Sequence, residues 1–376
     1  MTRRIMVRKS FCCSVFVAVI ALVTQACSSG LDNAAATGAD KAVVDVSAYE
    51  NASQAAMKPV TTWPGPTQGP RARPGVKVMW IACGFAAEGC KGPAEAAEIA
   101  ANALGWNLRV VDGQLDPRIQ NRAISEAVDQ DYDAIILSAV SVEAVAGAVQ
   151  RARGAGIVVG SWDGGNEPSP TGVSFEVDQP IAEQGVNLAN YMIWQSGGQA
   201  RAYLTEAPEF NVVREWIRGA RETLQACKTC EIVREDKFTA AEASTRVPSL
   251  MVSALRENPK INTVIGAYDA SMLSALPSIR GAGFDSVRVG GFNGIAPWLQ
   301  LIRNGQANAT SAVPIKWGAW AAFDNVNRLL SGQDIVEQHV PTRLITTDNI
   351  ADIPQQGQWE GDIDYMSEYR RIWLGS

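Results

Sequence analysis

Arg153-Gly154-Ala155-Gly156-Ile157 runs into Val159-Gly160-Ser161-Trp162-Asp163-Gly164, and the same phrase returns as Arg280-Gly281-Ala282-Gly283-Phe284 running into Val289-Gly290-Gly291-Phe292-Asn293-Gly294. Each copy reads as a helix, a glycine-rich stop, a strand, and a polar residue followed by glycine at the strand's carboxyl end. The glycines precede strands, the wrong end for a dinucleotide fingerprint, and serve as helix C-caps. Two similar halves, each with its own parallel sheet, predict two lobes. Ligands of open α/β sheets bind outside the carboxyl ends of the strands, so Asp163 and Asn293 are expected to face one cleft from opposite sides.

Working outward, the chain alternates short apolar runs with amphipathic stretches from Val76 onward. Strands are expected at Val76–Ala82, Asn107–Val111, Ala134–Leu137 and Ile157–Gly160, separated by helices at Pro93–Leu104, Pro117–Gln130 and Val142–Arg153. The series continues with strands at Ala200–Leu204, Glu231–Arg234, Thr263–Ala267 and Val287–Gly291. Helices at Ile181–Gln195, Val212–Gln225, Ala241–Glu257 and Ala270–Gly281 lie among them. Strands alternating with helices of this length imply parallel sheets covered on both faces, an α/β architecture of two Rossmann-like lobes.

Composition narrows the function. The chain has 376 residues, is 47% hydrophobic and 19% charged, and carries a net charge of −6. It is too apolar to be disordered and long enough for two or three domains. The first 26 residues hold Arg3, Arg4, Arg8 and Lys9 and no acid, so their removal takes the net charge to −10. An acidic chain with no basic stripe is a poor nucleic-acid binder. The single histidine, His339, excludes a His-rich metal site, and a Ser-His-Asp hydrolase would have to use it as its base.

Arg3 to Lys9 is a basic n-region, and Phe11 to Val23 is too short an apolar run to span a bilayer. It reads as a signal-peptide h-region. The following Val23-Thr24-Gln25-Ala26-Cys27-Ser28-Ser29-Gly30 resembles a bacterial lipobox, with Thr24 where leucine is usual. Either Cys27 is lipidated or cleavage leaves it a free cysteine. In both cases the mature chain sits outside the cytoplasmic membrane, lipid-anchored in the first. Residues 27–74, rich in Ala, Ser, Gly and Pro, are expected to form a tether, with a short helix within Asp40 to Met57 and Trp63 available to dock on the body.

Several stretches in order resemble a known family. They are Ala103-Leu104-Gly105-Trp106-Asn107, Val111-Asp112-Gly113-Gln114-Leu115-Asp116-Pro117, Asp131-Tyr132-Asp133-Ala134-Ile135-Ile136, Ala155-Gly156-Ile157-Val158-Val159, Tyr268-Asp269 and Val289-Gly290-Gly291-Phe292-Asn293-Gly294. Over residues 76–376 the chain resembles the type I periplasmic-binding-protein fold, in its ribose/galactose-type branch of ABC-importer solute-binding proteins. The resemblance implies a three-crossing hinge near Glu176–Asp178, Ala312–Pro314 and His339–Thr342, with His339 a hinge residue. It implies residues 75–177 with 314–340 in an N-terminal lobe and 178–313 with 341–376 in a C-terminal lobe. It also implies closure on a small solute, delivery to permease subunits, a monomeric state, no cofactor and no catalysis. A receptor module for chemotaxis or a sensor kinase uses the same fold and is the alternative. A glycosidase-like enzyme would need a carboxylate pair that no spacing picks out.

The departures from the family pattern concern the ligand. Asn293 replaces an aspartate, Gly164 an arginine, Trp216 an arginine, Tyr268 an asparagine and Val313 a glutamine. Fewer polar groups favour a less hydroxylated, aromatic or bulkier solute. The other reading is a pentose or hexose held by different residues, among them Ser138, Asn211 and Lys316. The expected ligand contacts are Phe85, Ser138, Trp162, Asp163, Arg214, Trp216, Phe238, Tyr268 and Asn293. Trp317 and Trp320, at helical spacing, are read as core. Cys83, Cys90, Cys227 and Cys230 form an even set in an exported chain and favour disulfides, Cys83 with Cys90 beside the cleft and Cys227 with Cys230 at a turn. A redox C-x-x-C fits less well, since Cys227 closes a helix instead of opening one, and a four-cysteine zinc site would need both pairs to meet across the two lobes.

Overall fold

The computed structural model describes residues 44–375. The export signal and Cys27 lie outside the described residues. In chain order the elements are α1 (Ser47–Ala56), β1 (Lys77–Ala82), α2 (Glu88–Leu104), β2 (Asn107–Asp112), α3 (Pro117–Asp129), β3 (Ala134–Ser138), α4 (Ala146–Gly154), β4 (Val158–Trp162) and β5 (Phe175–Glu176). There follow α5 (Ile181–Gln195), β6 (Arg201–Glu206), α6 (Asn211–Ala226), β7 (Glu231–Lys237), α7 (Val247–Glu257), β8 (Thr263–Ile265), α8 (Asp269–Gly281) and β9 (Arg288–Asn293). The chain ends with α9 (Ala296–Arg303), β10 (Ala309–Ala312), α10 (Ile315–Leu330), β11 (Arg343–Thr346) and α11 (Tyr365–Leu374).

Two sheets result. The first runs β2-β1-β3-β4-β5, all parallel; the second runs β7-β6-β8-β9-β10-β11, parallel except for the antiparallel edge β11. β1, β3 and β4 are almost wholly buried runs such as Val78–Ala82, as strands covered on both faces must be. Each sheet has its order reversal beside its first strand, which places a crevice at the carboxyl ends. One hydrophobic core gathers around each sheet. Pro248 accounts for the main helix difference. Proline belongs in a helix's first turn, so α7 begins at Val247, and residues 240–242 form a separate 3₁₀ turn closed by a Thr239–Glu242 capping box.

The tether and tail differ from expectation. Residues 44–74 are docked chain. α1 packs on the second lobe through Tyr49 and Ala56. Trp63 then stacks on Trp317 at 5.3 Å and meets Tyr369 edge-on at 5.3 Å in the first lobe. Gln68 and Pro70 give their carbonyls to Arg328 and Asn327. The segment has no internal ladder, and these side chains supply the partners its backbone would otherwise lack. The tail expected wholly in the second lobe is also divided. Trp359 belongs to the second core, but α11 buries Tyr365, Tyr369 and Trp373 in the first. Its apolar face finds the α10 aromatics there, Trp373 stacking on Trp320 at 5.2 Å.

The chain therefore passes between lobes after β5, after β10 and before β11, and twice more, at residues 58–63 and 360–364. The added passages meet at Asp362. Its carboxylate accepts from the Val60 amide at 3.0 Å and Trp359 Nε1 at 3.1 Å, and pairs with buried Arg343 at 2.8 Å. Arg343 also donates to the Met57 carbonyl at 2.8 Å. Asp178, in the first passage, accepts from the Gln338 and His339 amides in the third.

Candidate functional site

The strand register builds one wall. Ala82, Ser138 and Trp162 lie side by side at the ends of β1, β3 and β4. The next residue of each strand, Cys83, Ala139 and Asp163, therefore forms a row at the sheet's rim, held by Cys83 N donating to Ser138 O and Ala139 N to Trp162 O, both at 2.9 Å. That row lines a cleft of about 520 Å³, its open mouth included. The opposite wall comes from the second lobe: Phe210, Val212 and Val213 at the start of α6, Trp216 one turn on, Tyr268, and Asn293 with Ile295 after β9.

Ala139, Asp163 and Asn293 all take positive φ, 52°, 55° and 100°. Asp and Asn tolerate this region better than other side chains, and such backbone clusters where a site imposes it. Gly165, at φ +60°, lets the loop after Asp163 approach α6; a Cβ there would lie 2.9 Å from the Val212 nitrogen. Across this contact Asn211 Nδ2 reaches Glu143 Oε2 at 3.2 Å and the Gly165 carbonyl at 3.4 Å. The two lobes meet over the cleft.

Asp163 is buried and accepts from Gln179 Nε2 at 2.8 Å through one oxygen only. Burial pushes its carboxyl up to about 7, against the opposing pull of Gln179. Glu176 behind it is also pushed up to about 7 by burial, opposed by bonds from Ser161 and the Gly164 and Asn166 amides. Among the described residues, the second Asp163 oxygen, the Asn293 amide and the Tyr268 hydroxyl have no hydrogen-bond partner. Pro93 inside α2 has no amide to give the Gly89 carbonyl its helical bond, and Gly89 lines the cleft.

The structure gathers four of the expected contacts here: Asp163, Trp216, Tyr268 and Asn293. Trp216 has one face stacked on Phe292 at 4.6 Å, and its Nε1 donates to the Ala267 carbonyl at 2.8 Å. The others lie elsewhere. Ser138 and Trp162 sit one residue inside the rim, fully buried, with Trp162 filling the space a side chain at Gly318 of α10 would need. Phe238 is buried behind Tyr268, 6.1 Å between rings. Phe85 is 37% exposed, outside the lining, its amide tied to Asp112. Arg214 is exposed and donates to the Pro208 carbonyl and to Asn211 Oδ1. Of the other reading's residues, Asn211 serves the lobe contact and Lys316 pairs with Glu360 at 3.1 Å.

Sequence reasoning missed Phe210, Val212, Val213 and Ile295, which look like ordinary core. Only their position just after strand ends marks them. It also missed Asp269, which faces away from the cleft and fixes its wall by accepting from the Gly294 and Ile295 amides and Thr310 Oγ1. Cys83 and Cys90 are within bonding distance, as are Cys227 and Cys230, and the first pair lines the cleft. Among the described residues no cluster of His, Cys, Asp and Glu could hold a metal ion.

Comparison with known proteins agrees with this geometry. Residues 85–334, more than half of the chain, match the family model described as the periplasmic binding protein domain. The chain is 28% identical to the D-apiose import binding protein of Actinobacillus succinogenes over 60% of its own length and 72% of that protein's. It is 26% identical to the ribose import binding protein of Bacillus subtilis over 61% and 74%. An ABC sugar transporter subunit from Rhodobacter sphaeroides superposes with a TM-score of 0.67 at 19% identity, covering 73% of this chain and 99% of that one. The myo-inositol binding protein of Caulobacter superposes at 0.67 with 21% identity, covering 78% and 97%. The chain thus belongs to the periplasmic binding protein domain family, with the type I two-lobed α/β fold, an extracytoplasmic place and a binding rather than a catalytic role.

Proposed function

We propose that this protein captures a small neutral sugar or polyol between its lobes and delivers it, lobes closed, to the permease of an ABC importer, tethered to the membrane through lipid on Cys27. The observation that carries the reading is the cleft itself. It lies where ligands of such sheets bind, both lobes contribute walls, and the Asp163 oxygen, the Asn293 amide and the Tyr268 hydroxyl are unspent. Hydroxyl groups satisfy such atoms, while Phe210 and Trp216 suit the apolar face of a ring. Buried polar groups left unpaired cost about 1–3 kcal/mol each, so the site discriminates against solutes that cannot meet them. The relatives named for apiose and ribose and the neighbour holding myo-inositol support the same class.

The test is thermal unfolding of the mature protein with pentoses, hexoses and polyols, beside mass spectrometry of solute released from protein purified from its native host. A ligand at a thousand times its Kd adds about 4 kcal/mol of stability, a shift of several degrees. The Asp163→Ala, Asn293→Ala double variant is expected to unfold cooperatively yet lose that shift. An equal shift in the variant, or neither shift nor released solute, would overturn the assignment.

A further inference from the structure

Beside the cleft lies a second cavity of about 730 Å³, its open mouth included, that shares Cys83, Ala139, Phe210 and Ala240 with it. Phe210 stands between the two. The second cavity also needs both lobes: Leu115, Gln120 and Ser141 come from the first, Glu209 and Thr239 from the second. Resting on the transport reading, we propose that this cavity is a second subsite, and that the solute is a neutral, two-unit compound such as a disaccharide or glycoside, one unit in each compartment.

Three observations carry this. The compartments share lining residues and are contiguous, so one extended solute can fill both. Apart from one Gln120 N–H, the polar side-chain atoms left open in the outer compartment are acceptors. Gln120 gives one amide N–H to the Cys83 carbonyl at 3.4 Å and keeps its second N–H and its oxygen; Glu209 spends one oxygen on the Ala240 amide. Ser141 and Thr239 turn their hydroxyl hydrogens toward Glu143 and Glu242. Acceptors call for hydroxyl donors. Finally, among the described residues no Lys, Arg or His lines either compartment, whereas Asp163 and Glu209 do, so a carboxylated or phosphorylated solute finds no counter-charge there. Arg214, at the start of α6, is already held by Pro208 and Asn211.

The experiment is calorimetric titration of the mature protein with ribose, glucose and galactose against cellobiose, melibiose and phenyl glucoside, with cellobionate as the anionic probe. The expected result is affinity at least tenfold higher for a two-unit neutral compound than for its single sugar, and no binding of cellobionate. Ala144→Trp, which fills the outer compartment, lowers that two-unit over one-unit ratio tenfold or more. Glu209→Gln lowers it less and leaves the protein's unfolding midpoint within a degree or two. Single sugars binding as tightly as two-unit compounds, with a ratio indifferent to Ala144→Trp, would overturn the second subsite and leave the transport reading intact. Absence of binding by every neutral probe would overturn both.

Discussion

At the scale of the residue, Asp163 is the most consequential group. Buried with one hydrogen bond, it keeps its proton up to about pH 7 in the folded protein, and Glu176 does the same. The unfolded chain releases such protons near pH 4. Between about pH 4 and 7 the folded form binds more protons, so stability falls as pH rises through that window and levels off above it. Ligand affinity runs the other way. A hydroxyl donating to the free Asp163 oxygen favours the carboxylate, so affinity is expected to rise from pH 6 to 8, with proton release seen as a buffer-dependent binding enthalpy. Asp163→Asn should remove most of that pH dependence; an unchanged slope would assign it to Glu176. Asp163 and Asn293 were legible because polar residues before glycine recur at two strand ends. Ser138 and Trp162 were misplaced because a sequence does not state on which residue a strand's rim falls, and a shift of one residue moves a side chain from cleft to core.

At the scale of the element, the terminal segments carry what the sequence concealed. Strands and helices of the two lobes could be read because their periodicities and stops are local. Residues 58–74 and 347–364 have no periodicity, and their structure comes from partners far along the chain, so a proline-rich stretch reads as tether although it docks. Asp362 joins both segments to β11 through Arg343, whose side chain is 3% exposed. Removing one partner of a buried pair loses about 3–5 kcal/mol in typical cases, and without Asp362 the Arg343 guanidinium keeps only its longer 3.5 Å pair with exposed Asp352. Asp362→Ala is therefore expected to cost about 3 kcal/mol by urea unfolding. Asp362→Asn should cost less, since its single amide oxygen keeps an acceptor for one of the two donors, Val60 N or Trp359 Nε1. A loss under about 1 kcal/mol in the alanine variant would show that the added passages are not locked there.

At the scale of the whole molecule, five passages among the described residues link the lobes, and the cleft is complete only when the lobes meet. The sequence showed two lobes and a cleft between them, because the halves repeat; it did not show the state of closure, which rests on contacts between residues far apart in the chain. Gly165 is the position that tests closure without touching the solute. Its loop meets the first turn of α6, where a Cβ would stand 2.9 Å from the Val212 nitrogen and 3.0 Å from the Asn211 Cβ, closer than side chains tolerate. Its φ of +60° adds a local cost for any other residue, about 1 kcal/mol for alanine. Parting of the lobes at this contact frees that backbone of α6, so Gly165→Ala is expected to penalise the closed form more than the open one. A difference of 1.4 kcal/mol between the two forms reduces affinity tenfold. The variant should then bind at least tenfold more weakly while its ligand-free unfolding midpoint drops by only a few degrees. X-ray scattering supplies the independent reading. The wild type should contract on adding saturating ligand, and Gly165→Ala should contract less. Full contraction with undiminished affinity would mean that the lobes close without the α6 contact, and that Asn211 and Glu143 meet as bystanders to binding.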